Sequence, residues 1–286
     1  MRSARNSARI LVRGFSLVEL AVVMAIVAFL LGGVIFTLSA QVEQRNFEET
    51  RRRLDQAREL ILAFAIVNGR LPCPARSAAT TTPLTVPGDE VVIAATGCIG
   101  DGIADCYGGV LSAGPPVVTG GFLPARAIGY QQVDSAGLAV DAWGNRIRYA
   151  VARTVFAGTC TGTPTSPYFV NSTYLKNNGI ACQPGDLLIC KSGSGITSSA
   201  CGGASNQIMT QGLLVAIIFS TGKNGSTGGT GTDEAANLNG AGSADPIFVY
   251  HTPTPGTATN GEFDDQFTWI TVGELYGKLI SAGILP

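Results

Sequence analysis

Hydrophobic residues form one long run near the start of the chain and shorter runs with a different spacing after it. From position 15 to position 40 the sequence reads FSLVELAVVMAIVAFLLGGVIFTLSA, with Glu19 as its only charged side chain. About twenty apolar residues follow this glutamate, and as a helix they reach across a hydrocarbon layer of roughly 30 Å. The pattern therefore predicts a membrane-spanning helix over residues 15–40.

The pattern becomes amphipathic over residues 41–70. Apolar side chains recur there at steps of three and four residues, with charged side chains between them. The positions on this face are Phe47, Thr50, Leu54, Ala57, Ile61 and Phe64. Asn68-Gly69, followed by two prolines, is typical of a helix C-terminus. We expect this segment to continue the first helix and to pack its apolar face against the rest of the protein.

Residues 71–286 contain short apolar runs separated by Gly, Pro, Ser and Thr, which is typical of an antiparallel β domain. The predicted strands are Glu90–Ala95, Ile147–Val155, Asp186–Cys190, Leu213–Ser220 and Ile247–His251, and a short helix is predicted at Thr271–Ser281. The expected fold class is α+β, with a long N-terminal helix packed on a C-terminal antiparallel β-sheet.

The net charge of −1 conceals an uneven distribution along the chain. Residues 1–14 contain four arginines and no acidic residue, whereas the chain after position 76 has eight basic and fourteen acidic residues. Basic residues flanking a membrane span favour the cytoplasmic side. We therefore expect a basic leader at 1–14, a single pass through the inner membrane with the N-terminus cytoplasmic, and a periplasmic C-terminal domain. The acidic balance of that domain argues against a nucleic-acid partner.

The sequence from Arg13 to Leu20, RGFSLVEL, resembles the processing site of type IV prepilins and type II secretion pseudopilins. The resemblance implies that a prepilin peptidase cleaves after Gly14 and that Phe15 becomes N-methylated. It also implies a pilin-like fold and assembly with other pilin or pseudopilin subunits through the N-terminal helix. Glu19, the fifth residue of the processed chain, would pair its carboxylate with the N-terminal ammonium of a neighbouring subunit, because two unpaired buried charges are costly.

Later segments extend this resemblance. Residues 141–145, DAWGN, together with Tyr149, are similar to the D-P-W-G-N…Y segment of the major type II secretion pseudopilin. Residues 220–225, STGKNG, and the glycine-rich run after them are similar to the late loop that holds a calcium ion in that protein. Residues 262–270, EFDDQFTWI, resemble C-terminal segments of pilin-like relatives.

Five carboxylates in this region supply the hard oxygen ligands that calcium prefers. They are Asp233, Glu234, Asp245, Asp264 and Asp265. The alternative is a polar surface loop in which these residues cap turns. Asp264 and Asp265 are adjacent, so they would point to opposite faces of a strand, which argues against a catalytic acid pair. We expect no cofactor other than calcium.

All seven cysteines follow the predicted membrane segment: Cys73, Cys98, Cys106, Cys160, Cys182, Cys190 and Cys201. Disulfides fit an oxidising periplasm better than a zinc site does, because no C-x-x-C is present and His251 is the only histidine. Proximity favours Cys98–Cys106, Cys160–Cys182 and Cys190–Cys201, which leaves Cys73 unpaired. An alternative arrangement pairs Cys73 with Cys98 or Cys106.

The sequence carries no common catalytic motif of a hydrolase, metalloprotease or nucleotide-binding enzyme. We therefore expect a structural subunit and not an enzyme, with His251 as a strand-end residue. The leading hypothesis is a subunit of a type IV pilus-like or type II secretion filament that leaves the inner membrane on assembly. Its large, cysteine-rich domain favours a minor or specialised subunit. The alternatives are a filament-tip adhesin or other binding pilin, and a single-pass envelope protein that does not polymerise.

Overall fold

The structure is a computed structural model, and the chain divides into two compact units, Met1–Arg45 and Asn46–Pro286. The residues that it describes are 16–77, 80–81, 84–85, 87–90, 92–93, 97–98, 109–110, 119–156, 158, 160, 167–225, 231–238 and 245–285. Gly14 and Phe15, the predicted processing residues, lie outside these ranges.

Helices and short strands alternate along the second unit after one long N-terminal helix. The helices are α1 (Leu17–Asn68), α2 (Ala125–Ile128), α3 (Ser172–Asn178), α4 (Thr232–Asn237) and α5 (Val272–Ser281). The strands are β1 (Thr80–Thr81), β2 (Leu84–Thr85), β3 (Val92–Ile93), β4 (Gly97–Cys98), β5 (Gly109–Val110), β6 (Thr119–Gly120), β7 (Arg148–Val151), β8 (Leu188–Cys190), β9 (Gln207–Met209), β10 (Leu214–Ser220), β11 (Ile247–Val249) and β12 (Gln266–Thr271).

In the first unit, the apolar side chains of α1 from Leu17 to Leu30 are exposed on all sides of the helix. Leu17 and Phe29 are each 85% exposed. The helix continues through Gly32-Gly33 without a break. Among the described residues, no helix combines the length and the apolar character that crossing a membrane requires. The membrane span predicted at residues 15–40 is therefore not confirmed.

In the second unit, the amphipathic part of α1 packs as its residue spacing predicts. Leu54, Ala57 and Ile61 are at most 1% exposed and belong to the main hydrophobic core. Thr50 is buried on the same face. Burial of these side chains removes apolar surface from water, which stabilises the contact between the helix and the sheet. The predicted face is confirmed.

The central sheet is antiparallel and has the order β12-β10-β7. Its middle strand β10 is buried along its whole length. Ile217 of this strand lies opposite Ala150 of β7 on one side and opposite Trp269 of β12 on the other. The sequence predicts β10 from its apolar run and β7 within the strand-like run Ile147–Val155, which also contains Arg148 and Arg153.

A second three-stranded sheet has the order β11-β8-β9 and corrects the expectation of a purely antiparallel domain. Strand β9 runs antiparallel to β8, but β11 runs parallel to it, with Phe248 opposite Ile189. A parallel pair needs a long crossover connection, and the chain between β8 and β11 includes β9, β10 and α4. The fold is α+β with both antiparallel and mixed sheets.

The predicted element at Glu90–Ala95 differs from the structure at its start. Glu90 is not in a strand. Its carboxylate binds the guanidinium of Arg70 at 2.7 Å through both oxygens and accepts a hydrogen bond from the backbone N–H of Cys73. Among the described residues of the predicted range, Val92–Ile93 form a strand, and residues 91, 94 and 95 lie outside the described part of the chain. At the other end of the chain, α5 confirms the predicted helix, with Thr271 as its N-cap.

Two disulfides, Cys160–Cys182 and Cys190–Cys201, match the pairs that proximity predicts. Cys73 is also disulfide-bonded and fully buried, so the arrangement that leaves Cys73 unpaired is wrong. The alternative, in which Cys73 pairs with Cys98 or Cys106, agrees with its bonded state. The predicted Cys98–Cys106 pair involves side chains outside the described part of the chain.

Candidate functional site

The described part of α1 begins with a capping box. The backbone N–H of Ser16 donates to a carboxylate oxygen of Glu19 at 3.0 Å, and the backbone N–H of Glu19 donates to the hydroxyl of Ser16 at 3.2 Å. This reciprocal pattern satisfies two donors at the helix N-terminus. The S-x-x-E spacing is the sequence signal for this capping box, a second role for Glu19 beside the one in assembly that the family resemblance implies.

The DAWGN segment forms a tight turn around the carboxylate of Asp141. Its Oδ1 accepts hydrogen bonds from the backbone N–H groups of Trp143 and Asn145 at 2.9 and 2.8 Å, while Oδ2 accepts from the hydroxyl of Ser220. Gly144 has a φ of 87°, a conformation that favours glycine. Burial raises the pKa of Asp141, and the hydrogen bond from Ser220 opposes that shift.

This turn is attached to the amphipathic part of α1. The guanidinium of Arg53 donates to the backbone carbonyls of Val140 and Asp141. One turn earlier along the helix, the hydroxyl of Thr50 accepts from the backbone N–H of Ala142 at 3.1 Å. The rings of Phe47 and Trp143 meet edge to face with centroids 4.9 Å apart. Three residues of α1, spaced three positions apart on one face of the helix, therefore hold the DAWGN turn.

The late STGKNG loop lies directly beside the DAWGN turn. The side-chain amide of Asn145 donates to the backbone carbonyl of Gly222, and the backbone N–H of Lys223 donates to Oδ2 of Asp264 at 3.1 Å. Gly222 has a φ of 61°, and a Cβ at this position would lie in severe conflict with the carboxylate of Asp264. The three segments that resemble pilin relatives thus converge in space.

Three of the five predicted carboxylates form one buried cluster. Potential ligand atoms of Glu234, Asp264 and Asp265 all lie within 4.8 Å of one another, and each residue is at most 3% exposed. The side-chain amide of Asn224 donates to both oxygens of Glu234, and that of Asn237 donates to Asp265 at 2.7 Å. Glu234 lies on α4, and Asp264 and Asp265 directly precede β12.

The position of Asp264 and Asp265 corrects one argument from sequence. The two residues precede β12 instead of lying within it, so the alternation of side chains along a strand does not separate them. The backbone N–H of Asp264 donates to Glu234 at 3.0 Å, which brings the chain close enough for all three carboxylates to meet.

Crowding of carboxylates away from water is electrostatically costly. Burial, together with the negative charge of the neighbouring Glu234, raises the pKa of Asp264 to about 7. Burial also raises the pKa of Asp265 well above its usual range, although the hydrogen bond from Asn237 opposes this. Oδ1 of Asp264 is buried and has no hydrogen-bond partner among the described residues. A proton or a divalent cation would relieve this arrangement.

The other two predicted ligands are not part of this cluster. Asp233 accepts a hydrogen bond from the backbone N–H of Gly193, contacts Nε2 of His251 at 3.0 Å and accepts from the side-chain amide of Asn260. Asp245 accepts from the backbone N–H of Ile247 at 3.0 Å, and burial raises its pKa. Asp245 caps local structure, as the alternative interpretation of the loop expects. Asp233 is buried instead, and it ties together residues that are distant along the chain.

His251 follows the end of β11, as predicted. Its ring stacks on Phe263 with centroids 4.0 Å apart, and Nε2 contacts Asp233. Ser192 and His251 both contact Asp233, but the described residues show no hydrogen bond between Ser192 and His251. These three residues therefore do not have the geometry of a catalytic triad, in which the histidine contacts the serine nucleophile.

A family model described as the prokaryotic N-terminal methylation motif matches residues 11–35. The matched stretch includes Gly14, Phe15 and Glu19 and extends into the exposed apolar part of α1. No curated protein and no solved structure matches the chain. The chain therefore carries the N-terminal methylation motif that is the hallmark of the type IV pilin and pseudopilin family.

Proposed function

We propose that this protein is a structural subunit of a type IV pilus-like or type II secretion pseudopilus filament. The methylation motif at residues 11–35 carries the proposal, because its family is structural and not enzymatic. In this role a prepilin peptidase cleaves after Gly14 and Phe15 becomes the N-methylated first residue of the processed chain. The large second unit, with its disulfides, supports a minor or specialised subunit.

The exposed apolar surface of α1 supports assembly through the helix. The side chains from Leu17 to Leu30 are exposed on every face, and a contiguous apolar surface of this kind is stable in water only when something covers it. Before assembly, the inner membrane would cover it, with the second unit in the periplasm. In a filament, the helices of neighbouring pilin or pseudopilin subunits would cover it.

The processed N-terminus provides the direct test. We expect the protein isolated from its native envelope to begin at Phe15 and to carry one added methyl group, as measured by mass spectrometry of the intact chain and of its N-terminal peptide. Gly14→Val should retain the basic leader, whereas Gly33→Ala, a glycine change inside the same motif, should be processed normally. A native chain that begins at Met1 would contradict the filament role and favour an envelope protein that does not polymerise.

We also propose that Glu234, Asp264 and Asp265 hold a calcium ion in the late loop. The buried Oδ1 of Asp264, which lacks a hydrogen-bond partner among the described residues, supports the fit, because carboxylate oxygen is a ligand that calcium prefers. The ion would supply the positive charge that this buried cluster needs and would stabilise the loop against β12. It would have a structural role and would take no part in a reaction.

Calorimetric titration of the full chain with calcium tests this site. We expect heat of binding and a higher melting temperature in calcium than in chelator, both lost in Asp264→Asn. Asp245→Asn is the matched control, since Asp245 lies outside the cluster, and it should keep the calcium response. A chain that gives no heat and no shift in melting temperature would contradict the calcium proposal and leave the filament role untouched.

A further inference from the structure

Two arginines at the start of β7 lie against the same aromatic ring. Arg148, the first residue of β7, lies opposite Phe219 of β10 on one side and opposite Phe122 on the other. Its guanidinium lies over the ring of Phe122, 4.3 Å from the centroid, and the guanidinium of Arg146 lies 5.8 Å from that centroid. Residues two positions apart in an extended chain point to the same face, which places these two cations side by side.

The two cations differ in their partners. Nε of Arg146 binds Oδ2 of Asp134 at 2.8 Å. The other oxygen of Asp134 already accepts from the backbone N–H groups of Ala136 and Leu138. Within the described part of the chain, the guanidinium of Arg148 has no ion-pair partner and no hydrogen-bond acceptor. The carboxylate beside the two arginines is therefore used by one of them, and Arg148 lacks a counter-charge.

The surroundings of Arg148 make this missing counter-charge costly. Phe122 and Phe219 are at most 4% exposed, and the ring of Phe248 packs on Phe219 with centroids 5.5 Å apart. Burial lowers the pKa of Arg148 to about 10, and the positive charge of Arg146 acts in the same direction. A cation that is removed from water destabilises a fold unless a partner neutralises it.

The charge balance at this place favours a monoanion. Arg146, Arg148 and Asp134 together carry one net positive charge. Asp141, the other carboxylate of the segment, is turned toward Ser220 and toward the backbone of its own turn. A carboxylate carries one negative charge and matches the planar fork of a guanidinium, whereas a phosphate ester carries about 1.5 to 2 negative charges. Both arginines are half-buried, so a small group can approach them from solvent.

We propose that Arg148, supported by Arg146 and the ring of Phe122, is the binding site for the carboxylate of a ligand. The ring covers one face of the guanidinium, which leaves the N–H groups at its edge for two parallel hydrogen bonds to the carboxylate. The carboxylate belongs to a small organic acid or to an acidic side chain of a partner protein, and the site uses the same chemistry for both. The inference does not depend on the filament role or on calcium.

Titration of the full chain with sodium acetate tests the site, with sodium chloride at the same ionic strength as the reference. The Nε–H resonance of Arg148 in NMR spectra, assigned by its loss in Arg148→Lys, should shift saturably in acetate and not in chloride. Acetate should also raise the melting temperature. Lysine keeps the charge but lacks the planar fork, so Arg148→Lys should reduce this rise to less than about half. Arg52→Lys, a change at an exposed arginine of α1, should leave it intact.

Two peptides separate the sources of the carboxylate. Acetyl-Gly-Glu-Gly-amide presents the carboxylate on a peptide chain, and its glutamine version is the matched peptide without the charge. A glutamate peptide that binds at least about tenfold more tightly than acetate would assign the site to a partner protein, and any smaller preference would assign it to a small organic acid. Equal binding of the two peptides would overturn the proposal, as would inorganic phosphate that binds more tightly than acetate and the glutamate peptide.

A purely structural role for Arg148 has a different signature. An arginine that is paired with a carboxylate of its own chain loses stability when it is truncated, and Arg70, which binds both oxygens of Glu90, is the matched case. In chloride, Arg148→Met should therefore unfold at a higher denaturant concentration than Arg70→Met. The proposal is overturned if Arg148→Met is the less stable of the two variants, or if acetate causes no shift at the Nε–H of Arg148.

Discussion

The side-chain amide of Asn145 donates a hydrogen bond to the backbone carbonyl of Gly222, across 77 positions of sequence. The bond joins the DAWGN turn, which α1 holds through Arg53, to the STGKNG loop, whose Lys223 donates its backbone N–H to Asp264 of the acidic cluster. The segments similar to pilin relatives therefore form one connected structure, in which a change at the turn is transmitted to the loop.

Asn145→Ala should destabilise the second unit by about 1–2 kcal/mol, because it leaves the carbonyl of the buried Gly222 without this donor. Chemical denaturation of the full chain measures the change. The matched control is Asn68→Ala, which removes an amide bond to the carbonyl of Phe64 at an exposed position where water replaces it. Equal losses in the two variants would contradict a role for the buried bond.

Gly222→Ala should be more damaging than Gly144→Ala. Both residues have positive φ, so each alanine costs about 1–2 kcal/mol in backbone conformation. A Cβ at Gly144 meets no atom within 4 Å, whereas one at Gly222 conflicts with the carboxylate of Asp264. Denaturation of both variants, with calcium titration beside it, should show a larger loss of stability and a weaker calcium response in Gly222→Ala. Indistinguishable variants would contradict the close approach.

In the presence of chelator, the free energy of unfolding should decrease as the pH rises from about 4 to about 7. Burial and the neighbouring Glu234 raise the pKa of Asp264 to about 7, so the folded chain binds more protons than the unfolded chain across this window. The slope is at most about 1.4 kcal/mol per pH unit for one proton. Asp265, whose pKa is also raised, acts in the same direction.

Denaturation curves at several pH values measure this slope. Asp264→Asn should make it shallower, because the amide does not titrate. Calcium should also make it shallower in the unaltered chain, since the cation favours the ionised carboxylates. An unaltered chain with the same slope as Asp264→Asn in chelator would contradict the shifted pKa.

Ser16→Ala and Glu19→Gln should separate two roles of Glu19. Glutamine keeps the reciprocal capping bonds but removes the charge, whereas Ser16→Ala removes the cap, at a cost of about 1 kcal/mol, and keeps the charge. If charge pairing sets the register of assembly, Glu19→Gln should reduce incorporation into filaments and Ser16→Ala should not. Incorporation is measured by immunoblotting of sheared filaments. The opposite order would assign Glu19 to capping alone.

The sequence is sufficient for elements whose pattern is local. The steps of three and four residues identify the buried face of α1 at Leu54, Ala57 and Ile61, and the continuous apolar run identifies β10. Strand β12 is not among the strands predicted from the sequence, because Gln266 and Thr268 are polar positions on a half-buried edge strand. Its outer edge is recognised only when the pairing of β10 with both neighbours is known.

The acidic cluster depends on a contact that no local pattern reports. Glu234 lies on α4, thirty positions before Asp264, and the two meet through a backbone hydrogen bond. Sequence composition finds the carboxylates, but it does not separate the cluster from the local cap at Asp245 or from Asp233, whose hydrogen bonds are long-range. The parallel pairing of β8 and β11 is also non-local, since the sheet partner is selected by the packing of the intervening chain.

The burial of Leu54, Ala57 and Ile61 has a practical consequence for preparing a water-soluble fragment. A truncation at residue 71, where the composition of the sequence changes, would remove a wall of the core. It would also remove the hydroxyl acceptor of Thr50 and the guanidinium donor of Arg53, which hold the DAWGN turn. A fragment that starts at Asn46 retains both and discards the exposed apolar stretch. The boundary that matters for expression therefore lies inside a continuous helix, about six turns before that helix ends.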